Sequence, residues 1–290
     1  MPSPQISIVI VNWNVRDILR ENLARLFSLP CRYEKEVIVI DNGSQDGSAR
    51  MVREEFPEVR LVMNDWNAGF AYPVNQGLRL STGEVILLLN PDMLLEEGVL
   101  ERTYDELMAH PDIGILTVKL TNPEGNPIRS VRRDPGFRDQ LAIVLKLPHL
   151  FPVVVNRYLY AEFDYETSQN VEQVRGSYFA FRRELFERVG PFDERFFIWF
   201  EEVDYCKRVR KEGYRVRYCA DVACRDLVGQ SFKQHPVRRK QAMLTRSMVF
   251  YFWKWHPKWQ AAILATLRPL AILMGVGVDL ARFLRKRKTV

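Results

Sequence analysis

The sequence predicts an α/β fold in which helices cover both faces of a mostly parallel sheet. Over the first 120 residues, short apolar segments alternate with segments whose apolar residues recur at helical spacing. The short segments are apolar without a break, as expected for parallel strands that are buried on both faces. With 290 residues, of which 47% are hydrophobic, the chain is long enough for one large core or two smaller ones.

Residues that break regular structure set the limits of each predicted element. Pro57 ends the second helix, and Ser-Thr-Gly at 81–83 stops the third, which tolerates Pro73 near its start. The predicted strands are 6–11, 36–41, 60–63, 85–89 and 113–118. The predicted helices are 14–28, 46–56, 70–80 and 95–109.

The second half of the chain is less regular. Residues 121–174 include the turn NPEGNP and the helix-breaking LPHLFP, and we interpret them as an insertion over the cleft. A strand and a helix return in SYFAFRRELFERVG. A helix over 201–211, a cap at Gly213 and a further strand follow.

Polar side chains follow three of the buried strands where each strand ends. Asn12 follows the first strand, Asp41 the second, and the segment Asn90-Pro91-Asp92 the fourth. In an open parallel sheet, ligands bind at this edge. Each of these residues alone is also typical of turns and helix caps, but the three together favour a binding site.

The sequence contains neither of the two common glycine-rich phosphate cradles, GxGxxG after the first strand or GxxxxGK[ST]. A nucleotide ligand would then need another source of positive charge. Asp92 is suited to hold Mg²⁺ or Mn²⁺, which need only one or two protein carboxylates besides the substrate phosphates. The sequence therefore predicts a divalent-metal site at the tip of the fourth strand, where Pro91 restricts the backbone.

Charge is divided unevenly along the chain. From Lys233 to the end, 13 Lys or Arg and the single acid Asp279 give +12, whereas the rest has 29 bases and 35 acids, or −6. The tail also has three Trp and an apolar run over 261–278. We expect it to lie on a membrane surface and not on nucleic acid. A membrane span, or packing on the catalytic domain or a dimer partner, stays open.

The four cysteines and the first residues of the chain indicate where in the cell the protein is located. The cysteines show no CxxC spacing, so we expect free or buried thiols in a reducing environment. The start, MPSPQISIVIVNWN, has no basic n-region, and we expect a first strand there instead of a secretory signal. The expected location is the cytoplasm, at its membrane face.

Five segments resemble, in order, the motifs of family-2 inverting glycosyltransferases. They are VIVNWN, VIVIDNGSQDGS, NDWNAGFAYPVNQGL, ILLLNPDM and GSYFAFRRELFERVGPFDERFFIWFEEVDYCKRVRKEGYRV. The resemblance covers residues 5–231 and points to the bacterial rhamnosyltransferase-like subgroup, which builds cell-surface polysaccharide. It implies a GT-A fold over 1–232, with a nucleotide-binding half (1–120) and an acceptor-binding half (121–232). Residues 233–290 would form the helical, membrane-associating segment.

The resemblance also implies roles, position by position. Asp92 matches the metal-contacting member of a reduced Asp-x-Asp motif. Nucleotide-sugar binding is implied for Val11, Asn12, Trp13, Asp41, Asn67, Gly69, Asn75, Asn90 and Asp92. The sugar and acceptor site is implied for Gly176, Ser177, Trp199 and Glu201.

The catalytic base is expected in the segment FEEVD. Inversion by direct displacement needs a carboxylate that accepts the proton of the acceptor hydroxyl. The family usually has Glu-Asp here, with the second residue as the base, whereas this chain has Glu201-Glu202. The resemblance therefore implies Glu202. The alternatives are that Glu201 is the base, or that these acids only favour a helix N-terminus.

A second departure from the family concerns the metal. The family commonly has a His shortly before a G-x-S segment, but ACRDLVGQS has none, and Asp226 aligns with that position. Asp suits hard cations, so Asp226 is the predicted second ligand. The alternatives are a surface turn residue, or a weakened metal site.

The sequence thus predicts an inverting glycosyltransferase that depends on Mn²⁺ or Mg²⁺. It would move a sugar, with rhamnose as one candidate, from a nucleoside-diphosphate sugar to a lipid-linked or polysaccharide acceptor. Two alternatives stay open. A nucleotidyltransferase would typically need a basic glycine-rich loop after the first strand, and VNWNVRD is not one. A non-catalytic, membrane-associated nucleotide-sugar-binding protein would bind the sugar donor without turnover.

Overall fold

A computed structural model describes residues 4–227 and 234–288 of the chain. The strands are β1 Ile6–Asn12, β2 Lys35–Asn42, β3 Arg60–Asn64, β4 Val85–Leu89, β5 Met93–Leu95, β6 Ile113–Thr121, β7 Val131–Arg132, β8 Gln169–Val171, β9 Gln173–Val174, β10 Tyr178–Arg182 and β11 Arg215–Asp226. The helices are α1 Arg16–Ser28, α2 Ser48–Glu55, α3 Ala71–Leu80, α4 Val99–Ala109, α5 Phe137–Val144, α6 Arg183–Val189, α7 Glu201–Lys211, α8 Val237–Trp255 and α9 Lys258–Lys288. Two short 3₁₀ helices are Leu147–His149 and Pro152–Val155.

The predicted mostly parallel sheet is confirmed. Within the described residues, nine strands pair in the order β3-β2-β1-β4-β10-β6-β11-β5, with β8 also on β11. The first four of these are parallel, as are β6 and β11. Strand β10 runs antiparallel between β4 and β6. Strand β10 therefore separates the four parallel strands β3, β2, β1 and β4 from the other half of the sheet.

Helices bury apolar side chains on both faces of the sheet. Leu19 and Leu23 of α1 pack on one face, and Val74 and Leu78 of α3 pack on the other. All five residues of β4 are at most 2% exposed, as its unbroken apolar run predicts. Full burial of each such side chain contributes about 1.5–3 kcal/mol.

The chain after β4 differs from the prediction. A helix was expected from Leu95, but residues 93–95 form the short strand β5 and α4 begins at Val99. Strand β5 pairs antiparallel with the end of β11, and Met93 lies opposite Asp226. This long-range pairing outweighs the local helical pattern.

The insertion over 121–174 is mostly irregular, as predicted. Its strand β7 pairs with β9, and its helix α5 packs against α9. Arg132 of β7 lies close enough to influence Glu202 electrostatically. Residues of the 121–174 insertion therefore lie near the start of α7, which contains Glu202.

The C-terminal helices α8 and α9 form a hairpin that packs on the body. Lys254 and the indole of Trp255 both bond to the buried carboxylate of Asp204 in α7, at 2.8 Å and 2.7 Å. Asp279, the only acid of the tail, accepts hydrogen bonds from the backbone N–H groups of Val237 and Arg238 at the start of α8. The predicted boundary at 232–233 lies outside the described residues.

The four cysteines carry no disulfide, which confirms the prediction of free thiols. Cys206, Cys219 and Cys224 are buried, and Cys31 is partly exposed.

Candidate functional site

A cleft opens at the carboxyl ends of β1, β2 and β4, where ligands bind in open α/β sheets. It spans about 790 Å³ of space between protein atoms, open solvent included. Of the predicted nucleotide-sugar residues, those lining the cleft are Val11, Trp13, Asn67, Gly69, Asn90 and Asp92. Residues that were not predicted also line it, namely Asn42, Phe70, Arg175, Phe197, Ile198, His235 and Met243.

Asn12 and Asp41 lie beneath the cleft. They are 0% and 2% exposed. The Asn12 amide donates to the Asp41 carboxylate at 2.9 Å, and the other Asp41 oxygen accepts from the Ser44 N–H at 2.9 Å. This network fixes the ends of β1 and β2 against each other, and it supports the residues that face the cleft.

Asn42 holds the loop that carries Asn67 and Gly69. Its amide donates to the Gly69 carbonyl at 2.7 Å and to the Asn67 side chain at 3.1 Å. Gly69 has φ +87°, and a Cβ there would lie 2.2 Å from the Phe197 carbonyl oxygen. Only glycine lets this loop approach the 196–200 segment so closely.

Asn75 ties helix α3 to residues 192–194, just before the 196–200 segment. Its amide donates to the Phe192 carbonyl and to the Glu194 carboxylate, both at 2.9 Å, and its carbonyl accepts from the Phe192 N–H. Asn75 is 0% exposed. These bonds turn its side chain toward residues 192–194. Its predicted contact with the donor stays a prediction.

The end of β4 and the start of β10 meet at one point. Antiparallel pairing sets Tyr178 opposite Leu89, and the Asn90 N–H donates to the Ser177 carbonyl at 2.9 Å. Sheet topology thus brings the predicted donor residue Asn90 beside the predicted acceptor residues Gly176 and Ser177.

Pairing of β5 with β11 brings Asp92 and Asp226 to neighbouring positions. Asp226 pairs with Met93, and the Leu227 N–H donates to the Asp92 carbonyl at 2.9 Å. Both acids are buried. Burial, and then the carboxylates of Asp226, Glu96 and Asp92, raises the pKa of the Cys224 thiol well above its usual value.

These carboxylates fit a divalent cation that also binds substrate oxygens. No three His, Cys, Asp or Glu side chains gather as a metal site among residues 4–227 and 234–282. Mg²⁺ and Mn²⁺ bound with nucleotides need only one or two protein carboxylates, the phosphates supplying the rest. Asp92 and Asp226 could provide such a pair of hard oxygen ligands.

Arg175 forms an ion pair with Asp226. Its Nη1 lies 3.2 Å from Asp226 Oδ2, and the Asp226 side chain is only 1% exposed. Arg175 follows β9 and directly precedes Gly176. It lines both this cleft and the adjoining pocket.

The adjoining pocket contains the predicted acceptor-site residues. They are Gly176, Ser177, Trp199 and Glu201, and the predicted base Glu202 lines the pocket with them. Asn90 and Phe70 are shared with the first cleft. The two glutamates begin α7, so the helix dipole favours negative charge there. Trp199 and Phe200 just before them have φ of 63° and 70°, a costly conformation for large side chains.

The two glutamates differ in their electrostatic surroundings. Burial, and then the charge of Glu202, raises the pKa of Glu201 well above its usual value. Burial also raises the pKa of Glu202, but the guanidinium groups of Arg132 and Arg175 oppose that increase. The two guanidinium groups therefore favour the ionised form of Glu202.

The C-terminal segment completes the cleft. The His235 ring stacks on Trp13 with centroids 4.8 Å apart, and Met243 of α8 lines the same wall. Burial, and then Arg239 and Lys240, lowers the pKa of His235. No local pattern predicts this stacking, because Trp13 and His235 are 222 positions apart in the sequence. Arg175 could have been found from its position beside Gly176.

Comparison with known proteins identifies a family. The model described as "Glycosyl transferase family 2" matches residues 7–190. An N-acetylglucosaminyl-diphospho-decaprenol L-rhamnosyltransferase of Mycobacterium tuberculosis is 27% identical over 277 residues, 91% of this chain and 89% of that protein. A low-salt glycan biosynthesis hexosyltransferase of Haloferax volcanii is 22% identical, over 74% of this chain and 64% of that protein.

Solved structures with the same fold are also glycosyltransferases. A mannosyltransferase from Pyrobaculum calidifontis, solved with GDP-Man and Mn²⁺, has a TM-score of 0.59 at 22% identity, over 97% of this chain and 75% of that one. GalNAc-T7, solved with UDP, GalNAc and Mn²⁺, has a TM-score of 0.58 at 16% identity, over 77% and 43%. At these identities the likeness concerns the fold, and it supports the predicted GT-A fold.

Proposed function

The chain belongs to glycosyl transferase family 2, and from this premise we propose that it is an inverting, metal-dependent transferase that uses a nucleoside-diphosphate sugar. The observation that carries the proposal is the pair of adjoining pockets. One is lined by Asp92, the other is lined by Glu202, and Asn90 and Arg175 line both. Asp226 lies behind the first pocket, where it is paired with Arg175. A donor and an acceptor could therefore meet at this border.

The reaction is a single displacement. The acceptor hydroxyl oxygen forms a bond to the anomeric carbon of the donor sugar, and the bond from that carbon to the diphosphate breaks. The electron pair leaves with the diphosphate, and Glu202 accepts the proton of the hydroxyl. Attack from the face opposite the leaving group inverts the anomeric configuration.

The divalent cation would be held by Asp92 and Asp226, and when bound it would neutralise charge on the leaving diphosphate. Trp13, which lines the same cleft, offers an aromatic face for a nucleobase. Asn67 and Gly69 line the wall beside it. These roles are supported by the arrangement of the cleft and by the family.

The acceptor is proposed to be a lipid-linked saccharide in cell-surface glycan synthesis, and the sugar to be rhamnose or another hexose. Support comes from the name of the mycobacterial relative, whose match extends over nearly the full length of both chains. That match covers 91% of this chain and so extends beyond residue 190, where the match to the family model ends.

Membrane association is proposed through the outer face of α9. Within the described residues, α9 is long and apolar enough over Lys258–Arg282 to cross a membrane, but its inner face packs on α8 through Ala261, Leu264 and Ala271. Exposed apolar side chains recur along its outer face, at Trp259, Ile263, Leu270, Leu273 and Leu280. A helix anchored on one side and apolar on the other suits the headgroup layer of the cytoplasmic face.

A second exposed apolar element adjoins this helix. Leu150, Phe151 and Val153 are between 58% and 74% exposed in the loop that follows α5, and α5 packs against α9. Exposed apolar side chains gathered in this way are typical of interaction surfaces. The loop therefore supports the proposed membrane face.

The test is a calorimetric titration with UDP, GDP and dTDP, and with their sugars, in the presence and absence of Mn²⁺. We expect one nucleoside diphosphate to bind in Mn²⁺ and to bind much more weakly without it or to Asp92→Asn. Binding of none of them would contradict the proposal. Incorporation of a nucleotide would indicate a nucleotidyltransferase, and binding without turnover of any acceptor would indicate a non-catalytic binding protein.

A further inference from the structure

Arg175 occupies the border between the two pockets and has no role in the predicted motif set. Its guanidinium lines both the donor cleft and the Glu202 pocket. The side chain is 32% exposed, and Asp226 Oδ2 anchors it from within the protein at 3.2 Å. The guanidinium is thus held from one side and open to the clefts on the other.

The backbone at Arg175 is fixed as well as its side chain. The Arg175 N–H donates to the Ser130 carbonyl at 2.9 Å, and the preceding strand β9 pairs with β7. On the other side, a Cβ built on Gly176 would lie 3.6 Å from the Cβ of Glu202. This close approach keeps Arg175 within the electrostatic range of the base.

We propose that Arg175 binds the terminal phosphate of the donor diphosphate and that Asp226 orients it for this contact. The proposal rests on the proposed use of a nucleoside-diphosphate sugar. The sugar–phosphate bond must lie where the two pockets meet, because the acceptor hydroxyl approaches from one and the nucleotide lies in the other. Guanidinium groups bind phosphate through two parallel hydrogen bonds, which favours this chemistry.

The same cation acts on the acceptor side. The charged groups that act on Glu202 are Glu201, Arg132 and Arg175, and the Cys206 thiol also senses its charge. Loss of Arg175 removes one of the two positive charges that favour ionised Glu202. The pKa of Glu202 should then rise, and the base should need a higher pH to accept a proton.

The experiment compares nucleoside diphosphate with nucleoside monophosphate on Arg175→Met. By calorimetry in Mn²⁺, the diphosphate that binds the wild type should lose about 10- to 100-fold in affinity, the range for hydrogen bonds between charged groups. The matching monophosphate should change by less than about threefold, because Arg175 is assigned to the terminal phosphate only. The acid limb of kcat/KM should move to higher pH.

Two further variants separate this role from a structural one. Arg175→Lys keeps the charge but not the fork, so the acid limb should stay in place while diphosphate affinity falls by a smaller factor. Arg132→Lys is the matched control near Glu202, since Arg132 is not among the residues that line either pocket, and its diphosphate affinity should be unchanged.

The outcomes distinguish the inference from the proposed function. Unchanged diphosphate affinity in Arg175→Met, or equal losses for diphosphate and monophosphate, would overturn the assignment of Arg175. If Arg175→Met does not fold, equal diphosphate affinity of Arg175→Lys and wild type would overturn it instead. If the wild type binds no nucleoside diphosphate at all, the proposed function fails, and the role of Arg175 fails with it.

Discussion

Replacement of Glu202 by Gln tests the predicted base with little disturbance of the fold. The Glu202 Oε2 atom accepts no hydrogen bond within the described structure, so the amide of Gln breaks no bond at that position. Unmet hydrogen bonds of a half-buried amide cost about 1–3 kcal/mol, which is less than the stability of a typical domain. We therefore expect Glu202→Gln to fold.

The expected kinetic loss is large and specific to turnover. Removal of a general base costs about 10²- to 10⁴-fold in rate. Donor affinity should hardly change, since Glu202 lines the second pocket and not the cleft that Asp92 lines. The assay is turnover at saturating donor, accompanied by calorimetry of donor binding.

Glu201→Gln is the matched control, because it carries the same change one residue earlier. Glu201 is 5% exposed and is not the predicted base, so its replacement should cost less than about tenfold, below the range for a general base. A dead Glu201→Gln with a near-normal Glu202→Gln would move the base to Glu201. Losses below tenfold in both would refute the role of this motif.

Three further changes test the loop, the buried acid and the helix. Gly69→Ala should lower donor affinity at least tenfold and cost about 1–3 kcal/mol of stability, measured by calorimetry and denaturation, whereas Gly98→Ala, with φ +79° and no neighbour within 4 Å, should spare binding. Because the pKa of Glu201 is raised in the folded protein, ionisation of this carboxyl lowers the free energy of unfolding as the pH rises. Gln cannot ionise, so Glu201→Gln should be more stable than wild type at pH 8 but not at pH 4, as measured by thermal unfolding. Leu273→Asp should reduce co-sedimentation with anionic vesicles severalfold. Met108 is an exposed apolar residue of α4, and Met108→Asp should not reduce co-sedimentation. Equal behaviour within any of these pairs would contradict the corresponding assignment.

The first half of the fold was predictable because its signals are local. Unbroken apolar strands, helical spacing and the residues Pro57 and Gly83 define the elements up to β4 without any tertiary information. The same holds for the strand ends, since parallel strands bring Trp13 and Asp92 to one edge by their direction alone.

The rest of the site depends on pairings across long stretches of chain. Asp226 reaches Asp92 only because β5 and β11 pair over 130 residues, and the local sequence favoured a helix at that point. Asp204 was one of several acids at a helix start, but its role is to hold Lys254 and Trp255 of α8. No spacing in the sequence predicts such contacts.

The tail illustrates the same limit. Composition predicted a membrane-associating segment, but not that Ser247 of α8 would donate to the Ile198 carbonyl behind the acceptor pocket. Removal of α9 would expose the apolar face of α8, so substitutions on the outer face of α9 are a cleaner test than truncation. The proposed membrane face therefore rests on exposed residues and not on the whole tail.

The most direct test of the proposed function is the configuration of the transferred sugar. The protein would be incubated with Mn²⁺, the donor selected by calorimetry and a polyprenyl-diphosphate-linked saccharide, and the anomeric configuration of the product determined by NMR. We predict transfer with inversion, and none by Asp92→Asn or by Glu202→Gln. Transfer with retention, or full transfer by either variant, would contradict a metal-assisted direct displacement at this site.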